Sequence, residues 1–80
     1  MKIERLISCF DKETDKLIQE YNIDHIGIDL LKSIFKPSDD DPLMYNPYPI
    51  GIREAEELKE HTNIEFDFDK NQYQVDCFQL

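Results

Sequence analysis

The chain has 80 residues, of which 40% are hydrophobic, and it carries a formal net charge of −9. A chain of this length forms one small domain, which buries only about 60% of its unfolded surface and has a narrow stability margin. The excess of 18 acidic over 9 basic residues argues against binding to nucleic acid, because affinity for phosphates comes from lysine and arginine. We therefore expect a single acidic domain over residues 1–80.

No stretch of the sequence indicates a membrane span or a signal peptide. The longest apolar-rich stretch, residues 23–35, is interrupted by charged residues, and the charged N-terminus has no apolar run behind it. We therefore expect no membrane association and a cytoplasmic location. Under those conditions Cys9 and Cys77 are expected to be buried free thiols rather than a disulfide.

Two strands and a helix are predicted in the first half of the chain. Residues 2–10 have apolar side chains at both parities, which indicates a strand covered on both faces or a bulge near Arg5 and Leu6. Residues 11–15 form a polar turn, and residues 16–21 alternate as a second strand. A helical period follows, with Asp24 or Asp29 as its N-cap and Pro37 as its end.

Residues 36–49 contain all four prolines and show no periodicity, which predicts an ordered surface loop without regular structure. Its candidate partner-binding residues are Asp39, Asp40, Asp41, Tyr45 and Tyr48. Tyrosines surrounded by acidic residues suit a basic protein surface. Alternatively, the tyrosines fasten the loop to its own core. A calcium site is disfavoured, because the glycine and glutamate positions of an EF-hand are missing.

The last third of the chain predicts a second helix, residues 52–61, and a closing β-hairpin, residues 63–80. With Lys70–Asn71 as the hairpin loop, the strand pairs place the apolar side chains on one face. These core residues are Ile64, Phe66, Phe68, Tyr73, Val75 and Cys77. The opposite face then exposes the remaining candidate partner-binding residues: Glu65, Asp67, Asp69 and Asp76.

These elements predict an α+β fold in the order ββααββ, a four-stranded, mostly antiparallel sheet with two helices packed on one face. The acidity is uneven along the chain, with a net charge of −1 over residues 1–36 and −8 over residues 37–80. A concentrated negative field speeds encounter with a cationic protein. The alternative is that the charge only keeps a small domain soluble.

No pattern predicts catalysis, a cofactor or a metal site. His25 and His61 are far apart in the chain, the two cysteines do not form a CxxC motif, and no serine or cysteine has a base at a recognisable spacing. The two glycines do not make a phosphate-binding loop. We therefore expect a protein that is not an enzyme.

Three stretches resemble a family of short bacterial domains of unknown function: Phe10–Thr14, Asp41–Tyr45 with Tyr48–Ile50, and Phe66–Asp69 followed by Tyr73. In size and charge, such proteins are similar to the immunity proteins that bacteria keep beside secreted toxins, including nuclease toxins. The resemblance implies tight binding without catalysis that blocks the active site of a toxin, with acidic side chains in the place of nucleic-acid phosphates.

The sequence thus leads to two main hypotheses. The first is a monomeric or weakly dimeric immunity protein that neutralises a cationic toxin domain. The second is a structural or regulatory subunit that associates with itself through the sheet or an edge strand. A third hypothesis is a small-ligand binder that uses the loop around Tyr45 and Tyr48.

Overall fold

A computed structural model describes residues 2–80. Its elements are β1 (Ile3–Asp11), β2 (Leu17–Asn22), α1 (Ile28–Phe35), β3 (Tyr48–Ile50), α2 (Ile52–Leu58) and β4 (Asn71–Gln79). The four strands form one antiparallel sheet in the order β2-β1-β4-β3. The predicted α+β class, with a four-stranded antiparallel sheet and two helices, is confirmed. The element order is ββααββ-like, but the third strand precedes α2 instead of following it.

The first hairpin forms close to where the sequence predicts it. The pairing of β1 with β2 is irregular between Cys9 and Phe10, which face Gln19 and Leu17, so Ile18 is the extra residue of a bulge. The bulge therefore does not lie near Leu6. Leu6 and its neighbours through Cys9 are nevertheless all buried, so β1 has buried side chains on both faces of the sheet, although the helices cover only one of them.

The predicted closing hairpin is wrong, because residues 63–69 form no strand. Both edges of β4 are occupied by other strands. Along one edge, β4 pairs with the whole of β1, and along the other it pairs with β3. Val75, for example, lies between Ile7 of β1 and Tyr48 of β3. A strand has only two edges for hydrogen bonding, so distant partners exclude the local one.

The cap predicted for the first helix is also wrong. Gly27 is the N-cap of α1 and makes no side-chain cap bond. The Asp24 carboxylate instead accepts the backbone N–H of Arg5 at 2.9 Å, which ties the turn before α1 to the sheet. The helix ends as predicted before Pro37, through Lys36 in the left-handed region with φ of 50°.

The second helix begins at the predicted residue but is shorter than expected, since it ends at Leu58 rather than His61. The Glu54 carboxylate accepts the N–H of Gly51 at 2.9 Å, so the helix start is stabilised by a side chain of its own first turn. Ala55 and Leu58 are its buried residues. The helix therefore packs on the core through a thin apolar stripe.

The core lies between the helices and one face of the sheet. It consists of residues from the connections and from every element except β2: Ile7, Cys9, Ile23, Ile26, Leu31, Ile34, Met44, Ile50, Ala55, Leu58, Ile64, Tyr73 and Val75. Both cysteines are free thiols, with Cys9 buried and Cys77 partly exposed. Within residues 2–80, neither helix has the length and apolar character needed to cross a membrane.

Candidate protein-binding site

A groove of about 440 Å³ runs between α2 and the connection from α2 to β4, residues 59–70. We call it the α2 groove. Its apolar lining consists of Ile52, Ala55, Ile64, Phe66 and Phe68, and its charged lining of Glu56, Lys59 and Glu65. Ile52 is 69% exposed, so a large apolar side chain stands open to solvent beside carboxylates. Apolar contact area next to charge is the composition of a protein-binding surface.

Three aromatic rings hold the connection against the sheet. Phe66 and Phe68 stack with their centroids 5.8 Å apart and their planes 6° from parallel. Tyr73 of β4 meets both edge-on, at centroid distances of 4.9 Å and 5.4 Å. Both arrangements are favourable for aromatic quadrupoles. The contact predicted between Phe68 and Tyr73 therefore exists, but it is made by packing over the face of the sheet rather than by strand pairing.

A turn at residues 67–71 presents two of the predicted acidic residues. The Asp67 N–H donates to the Tyr73 hydroxyl at 2.9 Å, and the Asp67 carboxylate accepts the Asp69 N–H at 3.2 Å. The N–H of Asn71 donates to the Asp67 carbonyl at 2.9 Å. An aspartate that bonds to the backbone two residues on favours a turn over a strand. Asp67 therefore has a structural role besides its charge.

The charges along residues 53–70 are unbalanced, with seven acidic and three basic residues and a net charge of −4. Within residues 2–80, the three ion pairs all lie on this stretch: Arg53–Glu54 at 2.5 Å, Arg53–Glu57 at 3.7 Å and Lys59–Glu56 at 3.0 Å. Both bases of α2 are thus engaged. In the described part of the chain, no ion pair involves Glu65, Asp67 or Asp69, all of which are exposed.

Asp41, in contrast, is directed into the protein and is only 6% exposed. Its carboxylate accepts the hydroxyl of Tyr48 at 2.6 Å and the N–H groups of Tyr45 and Asn46 at 2.8 Å and 3.1 Å. The hydroxyl bond, supported by the N–H bonds, holds the pKa of Asp41 below its usual range despite burial. The same bond raises the pKa of Tyr48 to about 12. Asp41 and Tyr48 therefore organise the loop, and neither carries free binding capacity.

The other candidate residues of the loop lie far from the α2 groove. Tyr45 is beside Ile3 and Cys77, at the end of the sheet where β1 begins. Residues 69–70 lie beside residues 11–13, at the end where β1 finishes. Tyr45 is thus separate from the turn that carries Asp69, while Asp39 and Asp40 are exposed in the loop before β3. The loop is pinned by Met44 and Asp41 rather than by Tyr45 or Leu43, both of which are exposed.

Asp76 lies on the sheet face that the helices leave uncovered, opposite Leu6 in β1. It is 8% exposed, and its carboxylate accepts the Ser8 hydroxyl at 2.6 Å and the Gln74 amide at 2.8 Å. The predicted common acidic face of Glu65, Asp67, Asp69 and Asp76 is therefore wrong. Because residues 63–69 cross the helix-covered face, only Asp76 remains on the open one.

The structure also brings together residues that the sequence left apart. The Nε2 of His25 lies 2.8 Å from the His61 carbonyl oxygen, and both residues line a groove of about 540 Å³. No spacing signal in the sequence indicates this contact, since it depends on how α2 sits beside the turn before α1. Among residues 2–80, no group of three or more histidine, cysteine or acidic side chains is placed to hold a metal.

A comparison with curated proteins finds no match. A comparison with protein families matches one family model over residues 4–76, which includes every strand and helix, apart from the first residue of β1 and the last three of β4. The chain therefore belongs to the family described as a domain of unknown function, DUF7683.

Proposed function

We propose that the protein is a non-catalytic binding module that captures a basic segment of another protein in the α2 groove. The observation that carries this proposal is the exposed side chain of Ile52 in a groove that is also lined by Glu65, a carboxylate with no ion pair within the described residues. The cytoplasmic immunity protein of a cationic toxin domain is the function that fits such a module best.

The apolar part of the groove supports tight binding. Ile52 and the edges of Phe66 and Phe68 offer contact area on elements already fixed by the core and by Tyr73. A preformed apolar patch binds without a large cost in ordering its own side chains. Such patches supply most of the affinity at protein interfaces, while the surrounding polar groups exclude water.

The charged part of the groove supports the choice of partner. Glu65 lines the groove, and Asp67 and Asp69 follow it at alternate positions of the same segment. Two bases adjoin this segment, Lys70 in the chain and Lys12, whose ammonium donates to the Phe68 carbonyl. A field of this sign attracts a basic protein and repels nucleic acid and a second copy of the chain. Asp39 and Asp40, exposed in the loop before β3, add to the negative charge of this half of the chain.

The test uses the product of the reading frame beside this one in its genome, with association measured by stopped-flow fluorescence. Glu65→Lys, Asp67→Lys and Asp69→Lys together should slow association about tenfold at low salt, because electrostatic steering acts mainly on the association rate. Asp29→Lys, which reverses an exposed charge in the first turn of α1, is the control for a charge change outside the groove. Association at the same rate in all variants would refute capture by the groove.

A second candidate function, self-association, rests on the free edge of β2. In this strand Leu17 and Ile18 are about half exposed, and its outer edge pairs with no strand of the described chain. An exposed edge with apolar side chains is a template for pairing with another copy. Strand β2 also lies in the half of the chain with a net charge of only −1, where a second copy meets little repulsion.

Native mass spectrometry over a range of concentrations separates the two functions. A dimer that grows with concentration and disappears in Ile18→Lys would support pairing through β2. A monomer at every concentration would refute it and leave capture of a basic partner as the remaining function.

A further inference from the structure

The open face of the sheet holds a buried carboxylate in a setting that the α2 groove does not explain. Asp76 and Ser8 are both almost fully buried on this face, although no helix packs against it. In proteins, removing a carboxylate from water costs roughly several kcal/mol unless a cation or a full set of hydrogen bonds replaces the lost hydration. Within residues 2–80, Asp76 has no ion pair. One hydrogen bond on each carboxylate oxygen is therefore its compensation within these residues.

The hydrogen bonds to Asp76 show which acceptor sites of its carboxylate are unused. The Ser8 hydroxyl occupies one site on Oδ2, and the Gln74 amide occupies one site on Oδ1. A carboxylate offers about four acceptor sites, two on each oxygen. One site on each oxygen therefore remains, and two parallel N–H groups of a guanidinium fit that arrangement.

The surroundings of Asp76 favour a cationic side chain from a protein. The neighbouring outward positions are apolar at Leu6 and Phe78 and acidic at Glu4 and Glu20, as the strand register shows. In the described strands, the outward positions of this face carry no lysine, arginine or histidine. A second copy would bring the same three carboxylates against themselves, so charge excludes it as the occupant.

We propose that the open sheet face is a second docking surface, on which Asp76 receives an arginine side chain of a partner protein between the apolar side chains of Leu6 and Phe78. This second surface deepens the proposed function, and it rests on that function only for the basic character of the partner. The two surfaces lie on opposite sides of the sheet, so the module has separate contacts for two basic segments.

The test does not require the partner. N-acetyl-arginine amide is titrated into the ¹⁵N-labelled protein, with N-acetyl-citrulline amide as the uncharged control of the same shape. We expect arginine to shift the backbone amide signals of Ser8, Gln74 and Asp76, and citrulline to bind at least about tenfold more weakly, since it lacks the charge-assisted pair. Equal binding of the two, or shifts confined to the α2 groove, would overturn the proposal.

Two variants complete the experiment. Asp76→Asn keeps the size of the side chain and should weaken arginine binding by the same factor, while Glu65→Lys should leave these shifts unchanged. If Asp76→Asn does not fold, the comparison of arginine with citrulline on the unmodified protein still decides the question. Only the second surface is refuted if arginine does not bind at Asp76 while the triple variant of Glu65, Asp67 and Asp69 still associates more slowly with the partner. Only the α2 groove is refuted if arginine binds at Asp76 while the triple variant associates at the unmodified rate.

Discussion

Two irregular segments of this protein are rich in acidic residues, yet they use them in opposite ways. In residues 37–47, Asp41 points inward and gathers the hydrogen bonds that shape the loop. In residues 61–70, two phenylalanines point inward and the carboxylates point outward. A carboxylate can be buried where several donors converge on it, whereas one without donors stays in water. Asp41 is thus structural in the first segment, whereas Glu65 and Asp69 are available for binding in the second, where Asp67 also holds the turn.

The largest effect is expected in the loop. Asp41→Ala should lower the melting temperature by several degrees, because it leaves the Tyr48 hydroxyl and two backbone N–H groups without their acceptor. Circular dichroism during heating measures the change. Asp40→Ala, at the exposed neighbouring position, is the control and should melt with the unmodified protein. Equal shifts in both variants would show that Asp41 does not organise the loop.

The pH dependence of stability should identify the same bond. Tyr48 has its pKa raised from 10.0 to about 12, so its contribution is complete below pH 10 and is lost as the pH rises to about 12. Asp41 has a lowered pKa, so its contribution is present above its ordinary value of 3.8 and is lost as the pH falls through the lower folded value. Urea unfolding across both ranges checks these signs, and Tyr48→Phe should reduce the alkaline part to what remains from Tyr21, whose pKa is raised by burial.

A smaller effect is expected from the hydroxyl of Tyr73. Tyr73→Phe keeps the edge-on contacts with Phe66 and Phe68 but removes the acceptor of the Asp67 N–H, at a cost of about 1 kcal/mol. Urea unfolding gives the free energy of unfolding. Tyr45→Phe, in which the hydroxyl is exposed, should change it far less. A loss equal to that of Tyr45→Phe would mean that the turn is held by packing alone.

The smallest effect on stability belongs to the proposed binding residues. Glu65→Gln and Asp69→Asn should each change the free energy of unfolding by less than about 0.5 kcal/mol, because neither carboxylate contacts another group in the described chain. Both should nevertheless slow association with a basic partner. A large loss of stability in either variant would assign these residues to the fold and weaken their role in binding.

The sequence predicts the first hairpin, both helices and the core positions because each depends on a local pattern. Alternation over residues 16–21 and the helical period before Pro37 are properties of neighbouring residues. Prediction of a strand from alternating apolar residues fails at residues 63–69, where the alternation is present but no strand forms. There the phenylalanines pack on Tyr73 from above the sheet, a geometry that also buries every second residue.

For the candidate site, the sequence by itself determined the sign and uneven distribution of the charge, and the apolar residues next to it. The tertiary structure decided which carboxylates remain available. Because β4 pairs with β1 and β3, it has no free edge for residues 63–69. Glu65, Asp67 and Asp69 therefore lie on the helix-covered side of the sheet, whereas Asp76 lies on the open side. Since the choice between strand partners is made by contacts distant in the chain, no local pattern in the sequence contains it.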